Sequence, residues 1–338
     1  MFIIIRYYAI GEVETGIEND IPIGYWLLNF GIVSGVLVGT FYALIEFLFD
    51  KYVSKHLAIG IIFIQKSIIY LFGLIVSITF ISKKVEKFGD IDLPNDEVGW
   101  WMTSKIFWLL VIYFTICSLI FSFIKIANEK FGKGVFLKLL IGRYKRPMEE
   151  ERIFMFLDLQ ASTMIAEQLG HYKYSELIQD CFYDLNLTTP KYNAEIYQYV
   201  GDEAVLSWPY EKGLTNNNCV ALYYDFHQRL SKKENTYLKK YGLLPKFKAG
   251  IHGGKLIVTE VGTIKKEIAY HGDVINTTAR IQGECNKYGE WLLVSEILLK
   301  DLNLSEQFKT ATLGNITLKG KEEKVTLYAI NRSSNKFN

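Results

Sequence analysis

The uneven spread of apolar residues constrains this chain more than any other feature. Three long apolar runs, Tyr25–Phe49, Ala58–Ile81 and Ile106–Ile124, fall within the first 125 residues. A helix needs roughly 20 mostly apolar residues to span a bilayer, and each run is of that order. The sequence therefore predicts transmembrane helices over residues 1–125. Residues 150–330 have mixed charge and read as an ordinary globular domain. The length of 338 residues accommodates about two domains.

Charge and cysteine content narrow the classes further. Half of the residues are hydrophobic, and the formal net charge is only +2, so no nucleic-acid polymer is expected as a partner. Cys117, Cys181, Cys219 and Cys285 are far apart and form no CxxC spacing, which points to a reduced compartment. No signal-peptide cleavage pattern is present, so the runs read as permanent spans. Lys125, Lys130, Lys133, Lys138, Arg143, Lys145 and Arg146 follow the third run, which predicts that this side faces inward. The acidic stretches Gly11–Asp20 and Val85–Gly99 then fall outside, and Lys51 and Lys55 inside. Met1–Ile10 reads either as an external N-terminus before three full spans or as a shortened fourth helix, the second being favoured. Glu46 and Lys66 lie near the inner face, where snorkelling to the interface is favoured over mutual pairing. These readings predict a multi-pass inner-membrane protein with a lipid bilayer as partner and a cytoplasmic catalytic part.

Residues 126–150 read as a basic connector, with a helix over Asn128–Leu140 weakened by Gly132 and Gly134. Pro147 marks a break before the first strand of the globular part. The expected division is thus 1–125, 126–150 and 151–338.

Four segments of the globular part carry chemistry. Arg152–Asp158 is an apolar strand ending in a carboxylate, followed by small residues and a helix over Met164–Leu169. A strand-end Asp beside a helix N-terminus suits a cation and a triphosphate. Glu195–Trp208 reads as two strands joined by a Gly201-Asp202 turn. Asp158 and Asp202 can then share two divalent ions. Lys248–Gly262 reads as a strand, a glycine break and a second strand. Ala269–Ile281 ends in a helix on which Asn276 and Arg280 share a face.

In order and spacing these segments resemble the class III adenylate and guanylate cyclase family, over roughly residues 150–331. The resemblance rests on FxFxDLxxST, YxxGDE, GIHGG with GDVINTTAR, and Leu318–Glu322 before a final strand, Val325–Ile330. It implies an α+β domain with a ferredoxin-like βαββαβ core, set below N-terminal all-α transmembrane helices. It also implies two Mg²⁺ or Mn²⁺ ions held by Asp158, Leu159 and Asp202, and attack of a ribose 3′-oxygen on the α-phosphorus with loss of pyrophosphate. Asn276 would orient the ribose, and Arg280 would stabilise charge on the phosphate. Lys319 would meet the triphosphate, with Ala161, Ser162 and Thr163 lining its site. The two sets of residues come from different subunits in this family, which implies a homodimer.

Two positions depart from the family's pattern. Base recognition falls to Gln198 and Ala269, where adenylate cyclases of this family usually carry Lys and Asp and guanylate cyclases carry Glu at the first. ATP is the first choice of substrate, with GTP, CTP and UTP as alternatives. Tyr197, Tyr199 and His271 are further candidates for base contact, though packing or rim exposure is the commoner role. The leading function is an adenylate cyclase, and the alternative is a weakly active sensor or scaffold with the same fold.

Overall fold

The computed structural model describes residues 23–52, 59–89, 105–131, 135–264, 266–317 and 324–332. The chain divides into two compact units after Ile124. The described part of the first holds helices α1 (Ile23–Tyr52), α2 (Ile59–Gly89) and most of α3 (Lys105–Phe131). Each stands where an apolar run predicts a helix.

The membrane reading is overturned. Among the described residues no helix is long and apolar enough to cross a membrane. The predicted transmembrane region, the multi-pass inner-membrane location and the bilayer as partner fall with it. Run length misleads because it passes over interior polar groups. Asn29, Ser34 and Glu46 lie in the first run, Gln65, Lys66 and Ser67 in the second, and Thr115, Ser118 and Ser122 in the third. The threonine hydroxyls are satisfied within their own helices: Thr40, Thr79 and Thr115 donate to the carbonyls of Val36, Ile75 and Val111. Glu46 and Lys66 do not reach outward separately. They form an ion pair at 2.5 Å, and the Tyr70 hydroxyl also donates to Glu46. The acidic stretch Gly11–Asp20, Met1–Ile10 and most of Val85–Gly99 lie outside the described residues.

The second unit is an α+β domain, as predicted. After the short α4 (Val135–Leu140), Pro147 precedes β1 (Met148–Leu159). Then come α5 (Ser162–Thr188), β2 (Glu195–Val200), β3 (Glu203–Pro209), α6 (Tyr210–Leu214), α7 (Asn218–Lys232) and α8 (Glu234–Tyr241). They are followed by β4 (Phe247–Val261), β5 (Glu267–His271), α9 (Asp273–Tyr288), β6 (Leu292–Ser295), α10 (Glu296–Asp301), β7 (Phe308–Thr317) and β8 (Lys324–Arg332). The strands form one sheet in the order β2-β3-β1-β4-β6-β8-β7, with β5 paired to β4. Its β2-β3-β1-β4 part, with β1 antiparallel to β3 and β4, is the ferredoxin-like arrangement.

Alternation along the strands sends side chains to two faces. Ile153, Met155, Leu157 and Leu159 of β1 pack with Leu177, Cys181 and Leu185 of α5 and with Tyr223 and Phe226 of α7. Phe154 and Phe156 lie on the other face with Val205, Leu256, Val258 and Val274, the last from α9. Asp158 falls on this second face, between two core residues of the first.

Candidate active site

Strand register builds the acidic end of the sheet. Asp158 of β1 stands opposite Glu203 of β3 on one side and Lys248 of β4 on the other. Directly paired residues share a face, so Glu203, Asp158 and Lys248 form one rung. The two-residue turn Gly201-Asp202 between β2 and β3 adds Asp202 beside it. Gly201 takes the left-handed backbone conformation, φ 62°, that the tight turn requires.

The carboxylates disturb one another. Burial, reinforced by the Asp202 charge, pushes Asp158 up to about 6. Burial and the charges of Asp158 and Asp202 push Glu203 up to about 7. Asp202 Oδ2 is buried without a hydrogen-bond partner. A half-buried carboxylate pair with an unsatisfied oxygen is the donor set a hard cation fits. Among the described residues no group of three or more His, Cys, Asp or Glu side chains is arranged to hold a metal ion. Two carboxylates nevertheless suffice for Mg²⁺, which takes its remaining oxygens from water and substrate phosphates. The Leu159 side chain is in the core, so only its backbone is available to an ion.

Beyond β1 the chain turns sharply into α5. Gln160 donates its backbone N–H to the Lys246 carbonyl, and Ala161 adopts φ 57°, ψ 33°. No side chain caps the helix start. The N–H groups of Ser162 and Thr163 therefore lack intrahelical partners and suit an anion.

Gln198 is exposed on β2, and Ala269 is half-buried on β5. Their neighbours Tyr197 and Tyr270 meet edge to face at 4.8 Å, and both pack on Phe154. That contact brings the two strands together. Buried Arg152 lies 5.1 Å from the Tyr270 ring and bonds to Glu195, Glu150 and Ser207. Tyr197 is thus packed, and Tyr199 stacks on Phe182 with its hydroxyl on Asn186. His271 is exposed.

Helix α9 carries Asn276, exposed, and Arg280, half-buried. Neither is bonded to Asp158 of its own chain. Gln282 turns toward that carboxylate instead, and its Nε2 donates to Asp158 Oδ2 at 3.3 Å. Lys319 lies outside the described residues. Sequence reading missed Glu203, Lys248 and Gln282. Glu203 was visible as the residue after Gly-Asp, and Gln282 as a polar residue on the helix face opposite Arg280.

A pH-dependent prediction follows. Both Asp158 and Glu203 ionise at higher pH in the fold than the usual carboxylate values of about 4 in an unfolded chain. Stability from such groups is fully present below the unfolded value and lost as pH rises through about 6 to 7. Glu203→Gln should then melt above the wild type at pH 8 in EDTA, by a margin that shrinks toward pH 5.5. His227, held neutral by burial with its pKa at about 4, pulls the opposite way but acts on both proteins alike. Thermal melts across this range check the difference, and a margin that widens on acidification would contradict the charge cluster.

Known proteins resemble this chain over the same domain. The family described as "Adenylate and Guanylate cyclase catalytic domain" matches residues 145–332. "Adenylate cyclase 2" of Rhizobium meliloti (strain 1021) is 34% identical over 212 residues, covering 63% of this chain and 58% of the relative. "Adenylate cyclase" of Anabaena cylindrica is 23% identical over 184 residues, covering 52% of this chain and 36% of the relative. This chain therefore spans little more than half of the first and about a third of the second. The structure of a bacterial light-regulated adenylyl cyclase superposes with a TM-score of 0.56 at 17% identity, covering 70% of this chain and 68% of that one.

Proposed function

Because this chain belongs to the adenylate and guanylate cyclase catalytic domain family, we propose that it is a homodimeric cyclase converting ATP to 3′,5′-cyclic AMP and pyrophosphate. The observation that carries this reading is the acidic pair Asp158 and Asp202 beside the uncapped start of α5. The adenylate cyclase relatives favour ATP over GTP, CTP or UTP. We place the catalytic domain at 151–338 and the connector at 126–150.

Asp158 and Asp202, with the backbone of Leu159, would hold two Mg²⁺ or Mn²⁺ ions. Bound there, the ions would supply acidification of the ribose 3′-hydroxyl and neutralisation of triphosphate charge. The N–H groups of Ser162 and Thr163, with Ala161 beside them, receive phosphate oxygens, and Lys319 adds a cation. The 3′-hydroxyl gives up its proton to solvent, and its oxygen bonds to the α-phosphorus as the bond to the pyrophosphate oxygen breaks. Asn276 orients the ribose. Arg280 stabilises negative charge as it grows on the α-phosphoryl oxygens. Gln198 and Ala269 border the base.

A shared site is supported by the arrangement of α9. At about 100° per residue, Gln282 lies about 200° around the helix from Arg280 and about 240° from Asn276. With Gln282 on its own Asp158, the Asn276–Arg280 face points away from that carboxylate and is free to serve a second copy.

The test is an assay of the full chain with Mn²⁺ and each of ATP, GTP, CTP and UTP, scoring cyclic nucleotide and pyrophosphate together. ATP is expected to be turned over fastest. A folded dimer that cyclises none of the four would overturn the proposal.

A further inference from the structure

We infer that Gln282 is a positioning residue for the metal-binding carboxylate of its own chain, so that one helix serves two sites through opposite faces. The inference rests on the shared-site reading above.

Three observations carry it. Gln282 is buried, and its amide donates to only one oxygen of Asp158. Such a bond fixes the orientation of the carboxylate from its own chain. One turn further on, Asn286 Oδ1 accepts from Lys248 Nζ at 2.9 Å, and Lys248 is the register neighbour of Asp158. Two amides of α9 therefore grip adjacent members of one rung. Finally, the backbone of Gln282 is seated on the sheet, because a Cβ added at Gly250 would clash with its N and lie 2.7 Å from its Cα. The amide is thus delivered from a fixed point and not from a mobile surface.

Partners of metal ligands commonly control affinity by 10- to 100-fold. Gln282→Met keeps the volume and removes the donor. In the full chain without nucleotide, it is expected to weaken Mn²⁺ binding at least about 10-fold by calorimetry. Gln282→His retains an N–H donor and should recover most of the loss. Thr278→Val, which alters a buried hydroxyl bonded only within α9, serves as the control and should bind Mn²⁺ normally. A Gln282→Met protein that binds Mn²⁺ like the wild type overturns the inference.

Mixed dimers separate this inference from the reading beneath it. Asp158→Ala and Arg280→Ala chains, inactive alone, should form one working site, which takes Asp158 from the Arg280→Ala chain. Gln282→Met should cost at least about fivefold more activity on that chain than on the other. Equal losses on either chain would sink the inference while leaving shared sites intact. A mixture with no activity at all would sink the shared-site reading itself.

Discussion

Asp202→Ala is expected to stabilise the metal-free protein while removing the proposed cyclase activity. Asp202 Oδ2 is buried without a partner, and its charge raises the pKa of both Asp158 and Glu203. An unsatisfied buried polar atom costs about 1–3 kcal/mol, so truncation should gain on the order of 1 kcal/mol in EDTA. The backbone does not oppose the change, because Gly201 carries the left-handed conformation of the turn. Activity should move the other way. Metal ions at such sites contribute several kcal/mol to transition-state stabilisation, and 1.36 kcal/mol is tenfold in rate, so the loss should be on the order of 100- to 1000-fold. Thermal unfolding in EDTA and initial rates with Mn²⁺ check the two halves. Activity above about a tenth of wild type would refute the metal role, and a lowered melting temperature would refute the strained carboxylate cluster.

Gly250→Ala should be the most disruptive single methyl in the domain. The added Cβ meets backbone of α9 on one side, while the sheet holds Gly250 between Phe156 and Leu293 on the other. Backbone cannot rotate away as a side chain can, so the helix must lift. Overpacking of this kind costs about 1–3 kcal/mol, with about 3 kcal/mol or more expected here. Lifting α9 also withdraws Gln282 from Asp158, so activity should fall along with stability. Gly283→Ala on the same helix provides the contrast. Nothing lies within 4 Å of its added Cβ, and a helical glycine costs roughly 0.5–1 kcal/mol relative to alanine. It should therefore stabilise. Urea unfolding of the two variants compares them directly, and a mild Gly250→Ala would show that α9 stands off the sheet.

These glycines also show where sequence reading stops. Gly250, Gly253 and Gly254 read as a break between two strands, yet β4 runs unbroken from Phe247 to Val261. Their small size serves close approach: α9 over Gly250, and Tyr210 beside Gly253. That need comes from tertiary packing and leaves no local signal. The strand ending in Asp158, the hairpin carrying Asp202 and the helix bearing Asn276 and Arg280 were legible because each is a local pattern. The pairing of Asp158 with Glu203 and Lys248 was not, since it depends on strands distant in sequence. The apolar runs failed differently. They were read correctly as helices, but length was taken for span while Glu46 and Lys66 were in fact each other's partner.

The rung of Glu203, Asp158 and Lys248 makes the proposed acidic site a readout of strand alignment. Side chains alternate with a period of two, so a slip of one residue between β1 and either neighbour would send part of the rung to the opposite face. The slipped strand would also carry a charge into the face that packs on α5 and α7, where Leu157 and Leu159 belong. Misalignment and inactivity are thereby the same event. The hydrophobic core acts as the proofreader of the acidic site, and a chain that passes its inspection has its carboxylates in place.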